Sequence, residues 1–303
     1  MTKLTRRQAL ASTAIAGLTP SIAFAAADML GAATPSFSRF KLGNFEVTTL
    51  LAGSATREDP QGIFGMNVSA EEFAEVSAAN FIPTDAAQFF FTPTLINTGS
   101  ELILFDTGLN AAGITKAIEA AGYGADQVDH VVITHMHGDH IGGLMNEDDP
   151  TFANAAYITG ATEDNHWAQA GSDGYNAKVA PLKDKFSFID PGASIVSGIT
   201  SVEAHGHTPG HMGYMVESDG QQLMLIADTA NHYVWSLGYP DWEVRFDMDK
   251  QAAAATRRKV LGMLAADRIP MIGYHMPFPA LGFVAPRGEG YEYVPASYQM
   301  MLG

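Results

Sequence analysis

The feature that most constrains this chain is the run Thr134-His135-Met136-His137-Gly138-Asp139-His140. Three histidines and one aspartate fall within six positions, and imidazoles and carboxylates are the usual nitrogen and oxygen ligands of zinc-like ions. An apolar run at 131–133 precedes the histidines and Ile141-Gly142-Gly143 follows them, which predicts a loop at the end of a buried strand. The run therefore indicates a metal site, with a histidine-rich surface loop as the alternative.

The composition restricts the class of protein. The 303 residues are 47% hydrophobic and 17% charged, values typical of a globular chain with a substantial core. A formal net charge of −16 disfavours nucleic acid as a partner, because a phosphate backbone needs a basic face. Cysteine is absent, so a metal must be held by histidine and carboxylate. We expect a small-molecule substrate and no membrane partner, since no later stretch is long and apolar enough for a membrane helix.

The amino terminus indicates a twin-arginine signal peptide. Lys3, Arg6 and Arg7 give a positive start, a weakly apolar stretch follows, and Ala23-Phe24-Ala25 has the form of a cleavage site. We therefore assign residues 1–25 to a signal peptide, 26–36 to a linker and 37–303 to one hydrolase domain, and expect a periplasmic or secreted protein. The alternative is a chance basic start before an N-terminal helix.

Hydrophobic periodicity and turn residues predict alternating strands and helices. Strands are expected at 45–51, 94–98, 102–105, 131–134, 155–159, 199–204, 213–217, 223–227 and 271–274, and helices at 69–79, 114–121, 161–170 and 249–265. Segments 98–107 and 218–229 resemble each other, since each has a turn, an apolar strand and an Asp-Thr pair. This echo predicts two related halves, each a sheet backed by helices.

Further histidines and an aspartate follow other apolar runs. Residues 204–211 place three histidines around a Gly/Pro turn, Asp228 ends a strand, and His275 follows the last predicted strand. Side chains at strand ends can converge on one edge, where two divalent ions would need about seven or eight ligands. The seven candidate ligands are His135, His137, Asp139, His140, His207, Asp228 and His275.

In this order the motifs resemble those of the metallo-β-lactamase superfamily: HxHxDH at 135–140, GHTPGH at 206–211, a strand-end Asp and a late His. The resemblance implies an α/β fold of the αβ/βα sandwich type, with two mixed β-sheets face to face and helices outside. It implies that His135, His137 and His207 bind one divalent ion, that Asp139, His140 and His275 bind a second, and that Asp228 bridges them. Zn²⁺ is expected, with Co²⁺, Mn²⁺ or Fe²⁺ as alternatives.

From about Ser36 to Tyr298 the chain is similar to the methyl parathion hydrolase-like branch, which also holds lactonases. The stretches that carry this resemblance are 42–47, 97–99, 120–123, 205–211, 216–218 and 288–298. It implies a hydrolase that opens acyl-homoserine or aryl lactones by attack of a hydroxide held between two metals. Asp139 and Asp228 are then the catalytic residues, with Asp139 passing a proton to the leaving alkoxide. Relatives suggest a homodimer.

Four residues are expected to bind substrate. Trp167 and Phe246 match pocket positions of that branch. Asn231 stands where many acyl-homoserine lactonases have a tyrosine that donates to the oxyanion, and either Asn231 or the neighbouring His232 could donate instead. The substitution weakens the case for strict acyl-homoserine lactone specificity. The run at 89–91 is interpreted as core or dimer interface.

The other polar residues receive structural interpretations. His205 and His211 are expected to brace the His207 turn, and Asp106 to orient a ligand histidine. His130 and His166 are expected on the surface.

Three other functions remain open at this point. An organophosphate triester hydrolase would use the same metals on a phosphoryl centre. A β-lactamase fits export but not the ligand and tail pattern. A non-catalytic metal-binding protein is disfavoured because no ligand of the pattern is missing.

Overall fold

Two seven-stranded sheets organise the chain. The structure is a computed structural model that describes residues 28–301, so the predicted signal peptide at 1–25 lies outside the described residues. Residues 35–301 form one unit, and the described residues 28–34 belong to another. Within the second unit the described part, 28–34, contains no helix or strand. The first strand begins at Phe37.

The first sheet has the strand order β1-β2-β5-β6-β7-β10-β11. Its strands are β1 (Phe37–Leu42), β2 (Phe45–Leu50), β5 (Thr94–Asn97), β6 (Leu102–Phe105), β7 (His130–Ile133), β10 (Ala156–Gly160) and β11 (Phe186–Ile189). Two two-stranded antiparallel sheets lie outside both large sheets: β3 (Gly53–Glu58) with β4 (Ala86–Phe91), and β8 (Met145–Asn146) with β9 (Asp149–Pro150).

The second sheet runs in sequence order from β12 to β18. Its strands are β12 (Ser194–Val196), β13 (Ile199–Glu203), β14 (Met212–Ser218), β15 (Gln221–Ala227), β16 (Met271–Gly273), β17 (Leu281–Arg287) and β18 (Gly290–Pro295). The α-helices are α1 (Ala70–Ala79), α2 (Ala111–Ala120), α3 (Gly138–Ile141), α4 (Ala161–Ala170), α5 (Asp173–Lys178) and α6 (Lys250–Asp267). None of the helices in the described part of the chain combines the length and apolar character needed to cross a bilayer.

The internal echo corresponds to a shared topology. β5 pairs antiparallel with β6, which pairs parallel with β7. β14 and β15 repeat the antiparallel pairing, and β15 pairs parallel with β16. Along the chain, helix α2 connects the parallel strands β6 and β7, and helix α6 lies in the connection between the parallel strands β15 and β16. The echoed aspartates, Asp106 and Asp228, directly follow β6 and β15, so both stand at corresponding strand ends.

Alternation along β6 shows how the layers form. Ile103 and Phe105 join a buried cluster shared with Tyr214 and Leu225 of the second sheet. Leu102 and Leu104 point to the other face, into a cluster that includes residues of α2. A strand buried on both faces is continuously apolar. The mixed αβ/βα sandwich expected from the sequence is therefore confirmed.

Several predicted boundaries differ from the structure, and some strands were not predicted. Helix α2 begins at Ala111, three residues before the predicted start, because the Asn110 side chain accepts the N–H of Gly113 and caps it. The strands absent from the prediction are β1, β3, β4, β8, β9, β11, β12, β17 and β18. Strand β3, with the sequence GSATRE, carries almost no apolar residue and has no hydrophobic periodicity to detect.

Candidate metal centre

Four strand ends bring the candidate ligands to one edge of the sandwich. β7 leads into His135, and His137 is the N-cap residue of α3, which carries Asp139 and His140. β13 leads into the turn with His207, while Asp228 directly follows β15 and β16 leads to His275. All seven side chains fall into three overlapping groups whose donor atoms lie within 4.8 Å of one another.

The first group is His135, His137 and His207. The Nδ1 atom of His137 lies 3.1 Å from Nε2 of His135 and 3.0 Å from Nε2 of His207. Ligands about 2.0–2.1 Å from a tetrahedral zinc ion stand roughly 3.4 Å apart. The three nitrogens therefore have nearly the spacing of a zinc triad, with His137 using its Nδ1 atom and the other two their Nε2 atoms.

The second group is Asp139, His140 and His275. Oδ2 of Asp139 lies 3.7 Å from Nε2 of His140 and 3.3 Å from Nε2 of His275. Asp228 lies between the groups. Its Oδ2 is 3.3 Å from Nε2 of both His207 and His275, and its Oδ1 is 3.4 Å from Nε2 of His140. One carboxylate thus reaches residues of both triads.

Hydrogen bonds on the far side of each ring fix the ligand atoms. His140 Nδ1 lies 2.8 Å from Asp106 Oδ2, and His207 Nδ1 lies 2.8 Å from Asp247 Oδ1. His275 Nδ1 lies 2.9 Å from the carbonyl oxygen of Phe90. Metal-binding histidines usually donate their second ring N–H in this way, which orients the ring. These contacts leave Nε2 of each ring facing the site.

The residues present fit two divalent cations. Nε2 of His140 and Oδ1 of Asp228 are buried and have no hydrogen-bond partner among the described residues. A buried polar atom without a partner is costly, and a metal ion would satisfy both atoms. Burial, followed by the neighbouring positive His207, lowers the pKa of His137 to about 3, so its ring is neutral and able to bind a cation.

Charges within the metal-free site are paired. Burial alone would lower the pKa of His207, but its contacts with Asp228 and Asp247 outweigh burial and raise the pKa to about 9. In the same way, Asp228 and Asp139 raise the pKa of His275 to about 10. Burial raises the pKa of Asp139, but His140 and His275 outweigh it and lower the value to about 2. Without metals, protons on the two histidines take the place of part of the cation charge.

We expect the stability of the metal-free protein to peak near pH 6.5. His137 and His232 have pKa values lowered from 6.5 to about 3, so stability rises as pH rises through that window. The raised pKa values of His207 and His275 give stabilisation that is complete below 6.5 and is lost as pH rises towards 9 and 10.

Urea unfolding of chelator-treated protein at pH 5, 6.5, 8 and 9.5 measures this profile. The metal-loaded protein is the control, and we expect no decline above pH 6.5, because metal binding itself competes with protons. A metal-free stability that keeps rising from pH 6.5 to 9.5 would contradict the charge pairing.

Three buried charged residues of the site were not identified from the sequence. Glu163 on α4 contacts both histidine loops, and Asp247 joins His207 to Arg257 of α6. Arg257 is completely buried, and its Nη1 donates to Asp247 Oδ2 at 2.8 Å while its Nε donates to the carbonyl of Pro240 at 3.0 Å. Arg257 occupies a core-facing position of α6, in line with Ala253, Val260 and Leu264. A charged residue at a core-facing position of a predicted helix is a sequence signal that could have identified Arg257 as buried and paired.

The bracing histidines behave differently from each other. His211 Nδ1 lies 2.9 Å from the carbonyl of Ala204, and its Nε2 accepts the backbone N–H of Asp228 at 3.1 Å. His211 therefore braces the turn as expected. His205 contributes through its carbonyl, which accepts a hydrogen bond from Thr256 at 2.6 Å. His130 is partly exposed and pairs with Glu101, and His166 is half-buried on α4.

A cavity of about 470 Å³ opens onto the metal centre. Asp139, Asp228, His137 and His275 form its polar floor, and the remaining lining residues are Arg57, Phe89, Phe91, Leu109, Gly138 and Phe246. Phe89 and Phe91 are buried members of a hydrophobic cluster, in line with the interpretation of 89–91 as core, and both also line the cavity. These two share one face of β4, so pairing with β3 turns both rings towards the cavity.

Of the four expected substrate residues, one is among the residues that line the cavity, and Trp167, Asn231 and His232 are not. Phe246 lines the cavity, and the Trp167 ring meets that of His137 edge to face at 5.9 Å. Asn231 is buried, and its side-chain amide has no hydrogen-bond partner among the described residues. His232 accepts the N–H groups of Val234 and Trp235 at its Nδ1 atom, so its neutral ring carries the proton on Nε2.

Comparison with known proteins agrees with this geometry. The family model described as the metallo-beta-lactamase superfamily matches residues 92–271. The chain therefore belongs to the metallo-beta-lactamase superfamily, as the motif resemblance indicated.

The chain is also similar to individual characterised proteins. It is 24% identical over 119 residues to the N-acyl homoserine lactonase AiiA of Bacillus thuringiensis subsp. kurstaki, covering 39% of this chain and 45% of that protein. It is 37% identical over 59 residues to the anti-Pycsar protein Apyc1 of Paenibacillus sp. (strain J14), covering 20% and 23%. The match thus spans less than half the length of either relative.

Solved structures match over more of the chain. The structure of AidC, a dizinc quorum-quenching lactonase in complex with a product, superposes with a TM-score of 0.80 at 26% identity, covering 86% of this chain and 98% of that one. The hydrolase AbOPH of the beta lactamase superfamily gives 0.81 at 23% identity, covering 88% and 99%, and shows the shared fold. These neighbours and the His/Asp cluster support a hydrolase that binds divalent metals.

Proposed function

We propose that this protein is a metal-dependent lactonase that opens acyl-homoserine or aryl lactones. The observation that carries the proposal is the contact of one apolar cavity with both ligand triads, joined by Asp228. The similarity to AidC and AiiA supports the choice of lactones among hydrolase substrates. Organophosphate triester hydrolysis is the alternative that the same site would permit. We further propose export through the signal peptide, and a homodimer.

In this proposal His135, His137 and His207 would hold one divalent cation, Asp139, His140 and His275 would hold the other, and Asp228 would serve both sites. Bound divalent cations supply a water of lowered pKa and polarise the substrate oxygen. Asp139 moves the proton. Because its Oδ2 faces His140 and His275, its Oδ1 is left to receive a proton and deliver it to the leaving alkoxide oxygen.

The cavity walls would orient the substrate. Phe89, Phe91, Leu109 and Phe246 offer apolar contact for an acyl chain or an aryl ring. Neither His232 nor Asn231 is among the residues that line the cavity, and we propose that the Nε2–H of His232 or the side-chain amide of Asn231 donates to the developing oxyanion from behind this lining. Burial and the neighbouring positive His275 lower the pKa of His232 to about 3, so it acts as a neutral donor.

A substrate panel tests the proposal on purified protein loaded with Zn²⁺. The panel contains acyl-homoserine lactones of two chain lengths, an aryl lactone, a phosphotriester and a cephalosporin. We expect the highest kcat/KM for lactones, and loss of activity after exhaustive chelation with recovery on adding metal. Phosphotriester turnover without lactone opening would replace the proposed function by its alternative, and full activity after chelation would exclude the metal mechanism.

A further inference from the structure

We infer that Glu163 is a positioning residue that holds the first triad, His135, His137 and His207, in register and ties it to the Trp167 ring. The inference rests on the metal site and not on the identity of the substrate. Glu163 is completely buried in the first turn of α4. A buried carboxylate is costly unless its oxygens are fully hydrogen-bonded, so its retention here requires partners.

Those partners belong to both histidine loops. Oε1 accepts the backbone N–H of Met136 at 2.8 Å, and Met136 stands between His135 and His137. Oε2 accepts the Thr208 hydroxyl at 2.7 Å and the backbone N–H of Gly210 at 2.9 Å, on the loop of His207. One side chain therefore spans the loop after β7 and the loop after β13. These loops come from different sheets, and together they supply all three ligands of the triad.

The close approach at Gly210 requires glycine. A Cβ atom at this position would lie 2.1 Å from the backbone nitrogen of Glu163, so no other residue would let the loop come this near. The loop containing His207 is thus packed directly against the first turn of α4. The geometry brings the carboxylate and the loop together as one unit.

A fourth hydrogen bond extends this unit to Trp167, beside the first triad. The Trp167 indole N–H donates to Glu163 Oε1 at 2.7 Å, one helical turn further along α4. The indole ring in turn meets the His137 ring edge to face at 5.9 Å. A change in the carboxylate would therefore alter the hydrogen bonds of both the His207 loop and Trp167, the aromatic residue beside the first triad.

Glu163→Gln is the discriminating variant because it preserves shape. The glutamine oxygen can still accept from Met136 and Trp167, but its NH₂ group would then face Gly210, whose N–H can only donate. Thr208 can reverse its hydroxyl, whereas the Gly210 N–H loses its acceptor. The variant therefore loosens the loop of His207 while leaving the Met136 side in place.

The experiment is titration of the metal-free full chain with Co²⁺, followed by absorption and by competition with a chelator. His137→Ala and His275→Ala provide reference spectra for loss of the first and the second triad. We expect Glu163→Gln to lower the affinity only for the ion that is missing in His137→Ala, by about 10- to 100-fold. Thr208→Val removes one of the four hydrogen bonds and should lower the affinity for the same ion by less. Glu203→Gln, an exposed carboxylate at the end of β13, is the matched control and should bind both ions as the unmodified chain does.

Unfolding of each metal-free variant in urea separates positioning from folding. Equal weakening of both ions in Glu163→Gln, or unchanged binding of both, overturns the inference. If Glu163→Gln does not fold, Thr208→Val alone decides: selective loss of the first ion supports the inference, and unchanged or non-selective binding overturns it. Because the readout is metal binding, its failure is distinguishable from failure of the lactonase proposal.

Discussion

Asp228→Asn is expected to lower kcat/KM for the proposed lactone hydrolysis on the order of 10³-fold, the magnitude seen when a group that stabilises charge at the reaction centre is removed. The substitution keeps the size of the side chain and removes its charge. Asp228 is the carboxylate that lies within 3.4 Å of the Nε2 atoms of His140, His207 and His275. No other described carboxylate contacts ligands of both triads.

Metal analysis and steady-state kinetics on the same preparation measure this effect. We expect Asp228→Asn to hold fewer than two ions per chain after dialysis, since three histidines lose a shared anionic neighbour. Asp219→Asn is the matched control. Asp219 is exposed in the turn before β15, at the opposite end of the strand that leads to Asp228, and asparagine tolerates its left-handed backbone. Full metal content together with unchanged kcat/KM in Asp228→Asn would refute the bridging role.

Arg257→Met is expected to lower the free energy of unfolding by about 3–5 kcal/mol, because it removes the guanidinium partner of the buried Asp247 carboxylate. Both side chains are 0% exposed, and their charged atoms lie 2.8 Å apart. The substitution also affects the metal centre, because Asp247 orients the His207 ring through the 2.8 Å contact between its Oδ1 atom and Nδ1 of His207. The double variant Asp247→Asn with Arg257→Met should be destabilised less than the sum of the single variants, because the orphaned charge is then absent.

Arg258→Met supplies the comparison at the next position of α6. Arg258 pairs with Asp241 at the surface, where the side chains are 41% and 61% exposed, and exposed pairs contribute about 0–1 kcal/mol. Urea unfolding of the two variants therefore separates a buried ion pair from an exposed one on the same helix. Equal losses for Arg257→Met and Arg258→Met would show that the buried pair stabilises the fold no more than the exposed pair does.

The parts of the site that could be predicted from sequence share one physical cause. His135, Asp228 and His275 each follow an apolar strand, and strand ends at one edge of a sandwich converge. The echo between 98–107 and 218–229 gave the two-half architecture, because the repeated pattern of turn, strand and aspartate has one topology in both sheets. The fold class and the ligand cluster follow from such local patterns.

The remaining parts depend on contacts between distant segments. Glu163 is one carboxylate on a polar helix, and its partners Thr208 and Gly210 lie 45 and 47 positions away. A run of aromatics such as 89–91 predicts a place in the core or in a dimer interface, and Phe89 and Phe91 are indeed buried. Their place in the cavity wall depends on the pairing of β4 with the polar strand β3, which has no hydrophobic pattern. Such features become visible only when the tertiary partners are known.

The division of ligands between the two sheets has a mechanical consequence. His135 to His140 follow β7 of the first sheet, whereas His207, Asp228 and His275 follow strands of the second. A metal-loaded centre would then cross-link the two halves, closing chain loops as a disulfide bond would in a protein that has no cysteine. The halves could separate only after metal–ligand bonds had broken, so catalysis and resistance to unfolding would depend on the same few bonds.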